Sequence, residues 1–176
     1  MYYGDIKRVD VANGVGVRVS IFVSGCPHHC KGCFNEETWN FDYGQPYTKK
    51  QEDDIIKYME PDHITGLTLL GGEPMFPTNQ EALLPLLRRV KETYPNKDIW
   101  CYTGYLFDRD ILGKMCKESQ VTEEFIRYID ILVDGPFILE RKNLKINFRG
   151  SDNQRIIDVK KSLASGDIVH WEGEVS

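Results

Sequence analysis

The sequence predicts a single α/β domain over residues 1–176, with a mostly parallel sheet arranged as an open or partial (βα) barrel. Three observations predict it. Strand-like and helix-like segments alternate along the chain, which favours parallel strands joined by right-handed crossovers. The most unusual short sequences each follow a strand-like segment, where α/β folds place their binding loops. Finally, 176 residues are too few for the eight βα units of a closed barrel, which takes about 250 residues.

The elements follow in order. In "VGVRVSIFVSG" (15–25), Val17, Val19, Ile21 and Val23 share one face by period-two alternation, and this first strand runs straight into a loop of cysteines. Thr48 and Gln51 have the spacing of a capping box, with Ile55, Ile56 and Met59 as the apolar stripe of the helix behind it. "ITGLTLLGG" (64–72) is an apolar run ended by glycines, hence a second strand. In "TNQEALLPLLRRVKETYP" (78–95), Leu83, Leu86, Leu87 and Val90 recur at helical spacing, and Pro85 is expected to kink the helix or delay its regular part. "DIWCYTGY" (98–105) is a third strand. "TEEFIRYI" (122–129) is a short helix with Thr122 as its candidate N-cap. "DILVDGPF" (130–137) is a fourth strand and "QRIIDV" (154–159) a candidate fifth. No repeat interrupts the chain, and nothing after about residue 160 carries a readable motif.

Composition narrows the function. A net charge of −5 argues against a nucleic-acid partner, which selects for a basic face. No apolar run approaches the roughly 20 residues that span a bilayer, and the charged, mixed "MYYGDIKRVD" does not read as a signal peptide. A cytoplasmic setting is expected, with no membrane partner. In a reducing compartment clustered thiols serve metals or redox chemistry rather than structural disulfides, and five cysteines cannot all pair.

Three of the five lie in "SGCPHHCKGCFN" (24–35): Cys26, Cys30 and Cys33. Structural zinc takes four ligands. His28 and His29 are the nearest candidates for a fourth, but both sit between the first two cysteines, would strain to reach the same ion, and read as exposed loop residues. A closed iron–sulfur cluster also takes four cysteines. Cys101 lies in an apolar strand and Cys116 in a polar, helical stretch, so each reads as a plain core or surface cysteine. Three thiolates on four irons leave one iron open, which is what a substrate-binding metal centre needs.

Cys26-Pro-His-His-Cys30-Lys-Gly-Cys33 followed by Phe34 is a C-x3-C-x2-C signature that resembles the radical S-adenosylmethionine family, and "GGEP" (71–74) after the second strand strengthens the resemblance. "VANGVGVRVSIFVSGC", "CKGCFN", "LLGGEP", "YTGY", "LVDGPF" and "RGSDNQRIIDV" together resemble the branch that activates class III anaerobic ribonucleotide reductases, from about residue 8 to about residue 160.

The resemblance implies one [4Fe-4S] cluster on Cys26, Cys30 and Cys33, with S-adenosylmethionine chelating the open iron. Reductive cleavage then yields methionine and a 5′-deoxyadenosyl radical, which takes hydrogen from a glycine of the reductase large subunit and leaves a glycyl radical. A flavodoxin-like or other low-potential donor supplies the electron. Gly71 and Gly72 let backbone approach the methionine end of the cofactor. Glu73 offers a carboxylate to its ammonium or to adjoining backbone, and Gly32, Cys33 and Phe34 line the adenine side. No side chain is assigned an acid–base or nucleophilic role. Thr103 and Asp134 end strands on the same edge, where ribose contact, loop shaping and ordinary turn chemistry all remain open. Residues 149–155 are open between a solvated loop and one that holds cofactor or partner.

Three alternatives stand beside this reading. An activase of another glycyl-radical enzyme, of the pyruvate formate-lyase type, would be expected to carry an extra cysteine-rich insert. A zinc-binding module would be colourless. A ferredoxin would need a fourth cysteine ligand.

Overall fold

The alternation of residues 17–23 becomes a strand near the middle of a seven-stranded sheet. The computed structural model describes residues 1–173. The strands are β1 (Tyr2–Asp10), β2 (Val17–Val23), β3 (Gln45–Pro46), β4 (Ile64–Gly71), β5 (Asp98–Tyr102), β6 (Ile131–Asp134) and β7 (Arg155–Asp158), in the order β3-β1-β2-β4-β5-β6-β7. The four central strands β2, β4, β5 and β6 are parallel. Pairings β1–β2, β1–β3 and β6–β7 are antiparallel. The expected mostly parallel sheet is therefore corrected to a mixed one, and it is open, with β3 and β7 at its edges. β1 escapes a hydrophobicity reading because four of its nine residues are charged and most are only partly covered. An outer strand with a wet face carries no alternating apolar signal.

The helices are α1 (Lys49–Tyr58), α2 (Pro77–Thr93), α3 (Cys116–Glu118), α4 (Gln120–Tyr128) and α5 (Val159–Ser165). The capping box at α1 forms as its sequence predicts. α2 runs unbroken past Pro85, contrary to the expected delay. Pro85 and Glu81, the residue whose carbonyl loses its hydrogen bond, are both exposed, so the freed carbonyl lies on the solvent side of the helix, where a proline costs least. Ser119, not Thr122, caps α4, accepting from Thr122 N. Thr122 is buried and donates to Gln80 Oε1 at 2.7 Å, which ties α4 to α2. A π-helical stretch, Phe107–Met115, leads into α3 and was not legible in the sequence.

The pleat separates two environments. Val19, Ile21, Val23, Leu67, Leu69, Ile99, Cys101, Leu132 and Ile157 point to the face covered by α1, α2 and α4 and form the main core. Their neighbours Phe22, Leu70, Tyr102 and Val133 point the other way, along the register Phe22↔Leu70 and Tyr102↔Val133, onto the floor of a cavity. Below that floor, Arg18 is fully buried, donating to Thr68 Oγ1, Leu67 O and Asp98 Oδ1. Trp100, Phe148 and Trp171 close this end edge to face. The C-terminal segment that shows no sequence motif supplies Trp171, held by its N–H to Ile156 O.

Candidate functional site

Four loops leave the C-terminal ends of the parallel strands, as the alternation of elements predicts. Cys26, Cys30 and Cys33 after β2, Gly72 and Glu73 after β4, Thr103 and Gly104 after β5, and Gly135 and Phe137 after β6 all line one cavity of about 430 Å³. Phe34 and Gly71 also line it, whereas Gly32 stands outside its wall, beside Leu139.

The cysteine and glycine loops are zipped together through backbone. Gly72 N–H donates to Val23 O and Glu73 N–H to Gly25 O, both at 2.7 Å, and Gly25 N–H donates to Thr38 O at 2.7 Å. Gly71 has φ +106°, and a Cβ on Gly72 would lie 2.5 Å from Gly25 O. Here glycine is required both by conformation and by close approach. Asn79, buried in the first turn of α2, donates from one amide nitrogen to Ser24 O (3.1 Å) and Glu73 O (3.0 Å). The next residue, Gln80, donates to Met75 O.

Glu73 is fully buried and its carboxylate is shared among four protein donors. Oε1 accepts from Gly104 N–H at 2.8 Å and lies 2.6 Å from His28 Nε2. Oε2 accepts from Thr103 Oγ1 at 2.8 Å and Met75 N–H at 2.9 Å. Of the two partners expected for Glu73, backbone is present. The reading of both histidines as exposed loop residues is corrected for His28, which is half-buried between Glu73 and the Tyr105 ring, 4.5 Å away edge to face. His29 stacks on Trp39 at 4.6 Å. His28, Asn79 and Gln80 were missed as site residues because their partners come from other elements, which no local spacing announces.

Thr103 closes its loop by accepting from Tyr105 N–H. Asp134 turns from the cavity: its Oδ2 accepts from Phe107 N–H at 2.8 Å and from Arg155, which also donates to Asp108. It therefore shapes the loop rather than touching a ribose. Within residues 149–155, Gln154 Oε1 accepts from Gly150 N–H and its amide nitrogen donates to Gly135 O, so the segment is pinned to the loop after β6. Arg149, Gly150 and Gln154 line the cavity.

Structural zinc takes four ligands, a set that three thiols alone do not complete. His28, the nearest candidate for a fourth ligand, is engaged with Glu73 instead. All three thiols line the cavity wall. Burial pushes the Cys26 thiol up to about 11 and raises Cys30 above its ordinary value; bound iron supplies the positive charge that deprotonates such thiols. Three of the five buried side-chain polar atoms without a hydrogen-bond partner among the described residues, Trp39 Nε1, Tyr102 OH and Arg149 Nε, belong to residues of this cavity. A polar ligand satisfies such atoms. Cys101 is fully buried in the core and Cys116 half-buried beyond the π-helical stretch, and neither lines the cavity.

A family model, the 4Fe-4S single cluster domain, matches residues 12–157. The chain is 44% identical over 158 residues to a Vibrio cholerae protein named anaerobic ribonucleoside-triphosphate reductase-activating protein, covering 89% of this chain and 97% of that one. The chain belongs to that family of activating proteins. Members from Escherichia coli K12 and from Enterobacteria phage T4 bear the same name. They are 40% and 42% identical, over 88% and 89% of this chain and 96% and 93% of theirs. The stretch matched by the family model, residues 12–157, contains the cavity loops described above. Among the described residues no helix is long and apolar enough to cross a membrane.

Proposed function

We propose that the chain is the activase of an anaerobic ribonucleoside-triphosphate reductase and a radical S-adenosylmethionine enzyme. The observation that carries this reading is that Cys26, Cys30, Cys33 and the Gly71-Gly72-Glu73 turn line one cavity. In this reading Cys26, Cys30 and Cys33 would hold a [4Fe-4S] cluster, and its remaining open position would bind S-adenosylmethionine. The chemistry the bound groups supply is one-electron cleavage of the cofactor to methionine and a 5′-deoxyadenosyl radical that removes hydrogen from a glycine of the reductase; cluster potentials reach about −700 mV.

The chain's own part is to bind, orient and exclude water. Gly71 and Gly72 bring backbone against the methionyl end, with Glu73 fixing the turn. Cys33 and Phe34 border the adenine side, where the 54% exposed Phe34 ring packs edge to face on Phe137, while Gly32, outside the cavity wall, shapes the loop from behind. Tyr102 OH and Arg149 Nε offer donors deeper in the cavity. The sheet is open, with β3 and β7 at its edges, which leaves room for a polypeptide to approach, and a low-potential donor, flavodoxin-like by resemblance, supplies the electron.

Anaerobically reconstituted protein, S-adenosylmethionine, dithionite and the reductase are incubated together and read by electron paramagnetic resonance. A glycyl radical on the reductase is expected. Cofactor cleavage without that signal sinks the partner assignment, and colourless protein holding zinc sinks the whole reading.

A further inference from the structure

Residues 137–151 form a flap beside the cysteine loop. Its arms are bridged antiparallel at Lys142 and Ser151, with Asn143 N–H donating to Gly150 O at 3.2 Å. The flap leans on the cysteine loop through Phe137, whose ring centre is 5.1 Å from that of Phe34, and through Lys142 Nζ, 5.1 Å from the Phe34 ring. Phe137, Phe148 and Arg149 line the cavity, so the inner side of the flap is cavity wall while its tip faces solvent.

That tip is unlike the rest of the surface. Leu144 is 80% exposed, the highest of any large apolar residue described, and Leu139 in the same flap and Phe34 under Lys142 are exposed too. Residues 139–150 hold Arg141, Lys142, Lys145 and Arg149 against the single acid Glu140, in a chain of net charge −5. Arg141 is paired with Asp152, whereas Lys31, Lys142, Lys145 and Arg149 are in no ion pair among the described residues. Exposed apolar side chains ringed by unpaired charge of one sign mark a surface that another molecule covers.

We propose that this flap docks the reductase, receiving an acidic segment with apolar side chains that leads the reacting glycine to the cavity mouth. The proposal rests on the activase reading above. Two features choose the occupant. The patch is continuous with the wall of the cavity where the polypeptide must react, and its positive charge complements acidic rather than basic chain. Leu144 and Lys145 are then contact residues for the partner, outside the cofactor cavity.

The test compares wild type with Leu144→Asp/Lys145→Glu, using the reconstituted full chain. Association with the immobilised reductase is measured at low and high salt, and S-adenosylmethionine cleavage is measured without reductase. The expected result is association slowed about tenfold at low salt, with a smaller difference at high salt because screening removes the charge contribution, and uncoupled cleavage unchanged. Lys145→Arg should associate as wild type does. Equal association by the double variant overturns the proposal. So does a fall in uncoupled cleavage that matches the fall in association, which would make the flap part of the cofactor pocket, or a patch that only joins two copies of this chain. A wild type that cleaves nothing fails the activase reading instead, and that outcome is distinct from all of these.

Discussion

His28 Nε2 lies 2.6 Å from Glu73 Oε1, so a side chain from between two cysteines is bound to the carboxylate of the glycine-rich turn. Through Glu73 the same contact reaches Thr103 and Gly104. Three of the four cavity loops thus share one carboxylate. Removing His28 leaves a buried acceptor short of a partner, at a cost of about 1–3 kcal/mol, and frees the cysteine loop to shift against the turn. His28→Ala is expected to keep its iron and raise the KM for S-adenosylmethionine several-fold more than it lowers kcat. His28→Gln, which can still donate to Glu73, should recover part of the loss. Iron analysis with cleavage kinetics checks both; unchanged KM in His28→Ala removes the positioning role.

Cysteine replacement separates cavity thiols from core thiols. Cys26→Ala, Cys30→Ala and Cys33→Ala should each lose iron and acid-labile sulfide after anaerobic reconstitution. Cys101→Ala and Cys116→Ala should retain them, because neither residue lines the cavity. Loss of the cluster in Cys101→Ala would make it a fourth ligand and return the ferredoxin alternative.

Gly72→Ala places a methyl 2.5 Å from Gly25 O and 2.9 Å from Thr38 O, against backbone that cannot swing away. Relief requires the cysteine loop to move. A loss of about 1–3 kcal/mol in stability is expected, read by urea unfolding, with weaker cluster retention than wild type. A variant as stable as wild type with full iron content would show that the two loops are not locked together.

Asp10 carries a pH dependence. Burial pushes its carboxyl up, but hydrogen bonds from Ser20 Oγ, Asn13 Nδ2 and Ala12 N–H together hold it below the ordinary aspartate value. A folded-state pKa below the unfolded one contributes stability above the unfolded value, about 4, and that contribution is lost as pH falls through the folded value. Asp10→Asn should therefore be less stable than wild type at pH 7, and the gap should narrow below about pH 4. Urea midpoints measured from pH 7 to pH 3 test this; a constant gap would assign the effect to packing.

Much of the fold was legible. The central strands, α1 with its cap and the cavity-lining loops after the strands follow from period-two runs, glycine stops and a capping box, all of which are local. β1 was not legible, because Asp5, Lys7 and Arg8 face water and its pairing with β2 is a tertiary event. The cap of α4 moved from Thr122 to Ser119 for a similar reason: buried against Gln80, the Thr122 hydroxyl donates across to α2.

The sequence by itself determined the chemistry on offer: three closely spaced thiols, a Gly-Gly-Glu turn and strands that deliver both to one edge. Tertiary structure decided what surrounds them. It set His28 on Glu73, placed Asn79 and Gln80 behind the turn, swung Asp134 away to Arg155 and raised a basic flap beside the cysteines. Spacing along a chain encodes contacts within a turn or a helix. Contacts between residues 28 and 73, or 80 and 122, exist only once the sheet has stacked its loops side by side.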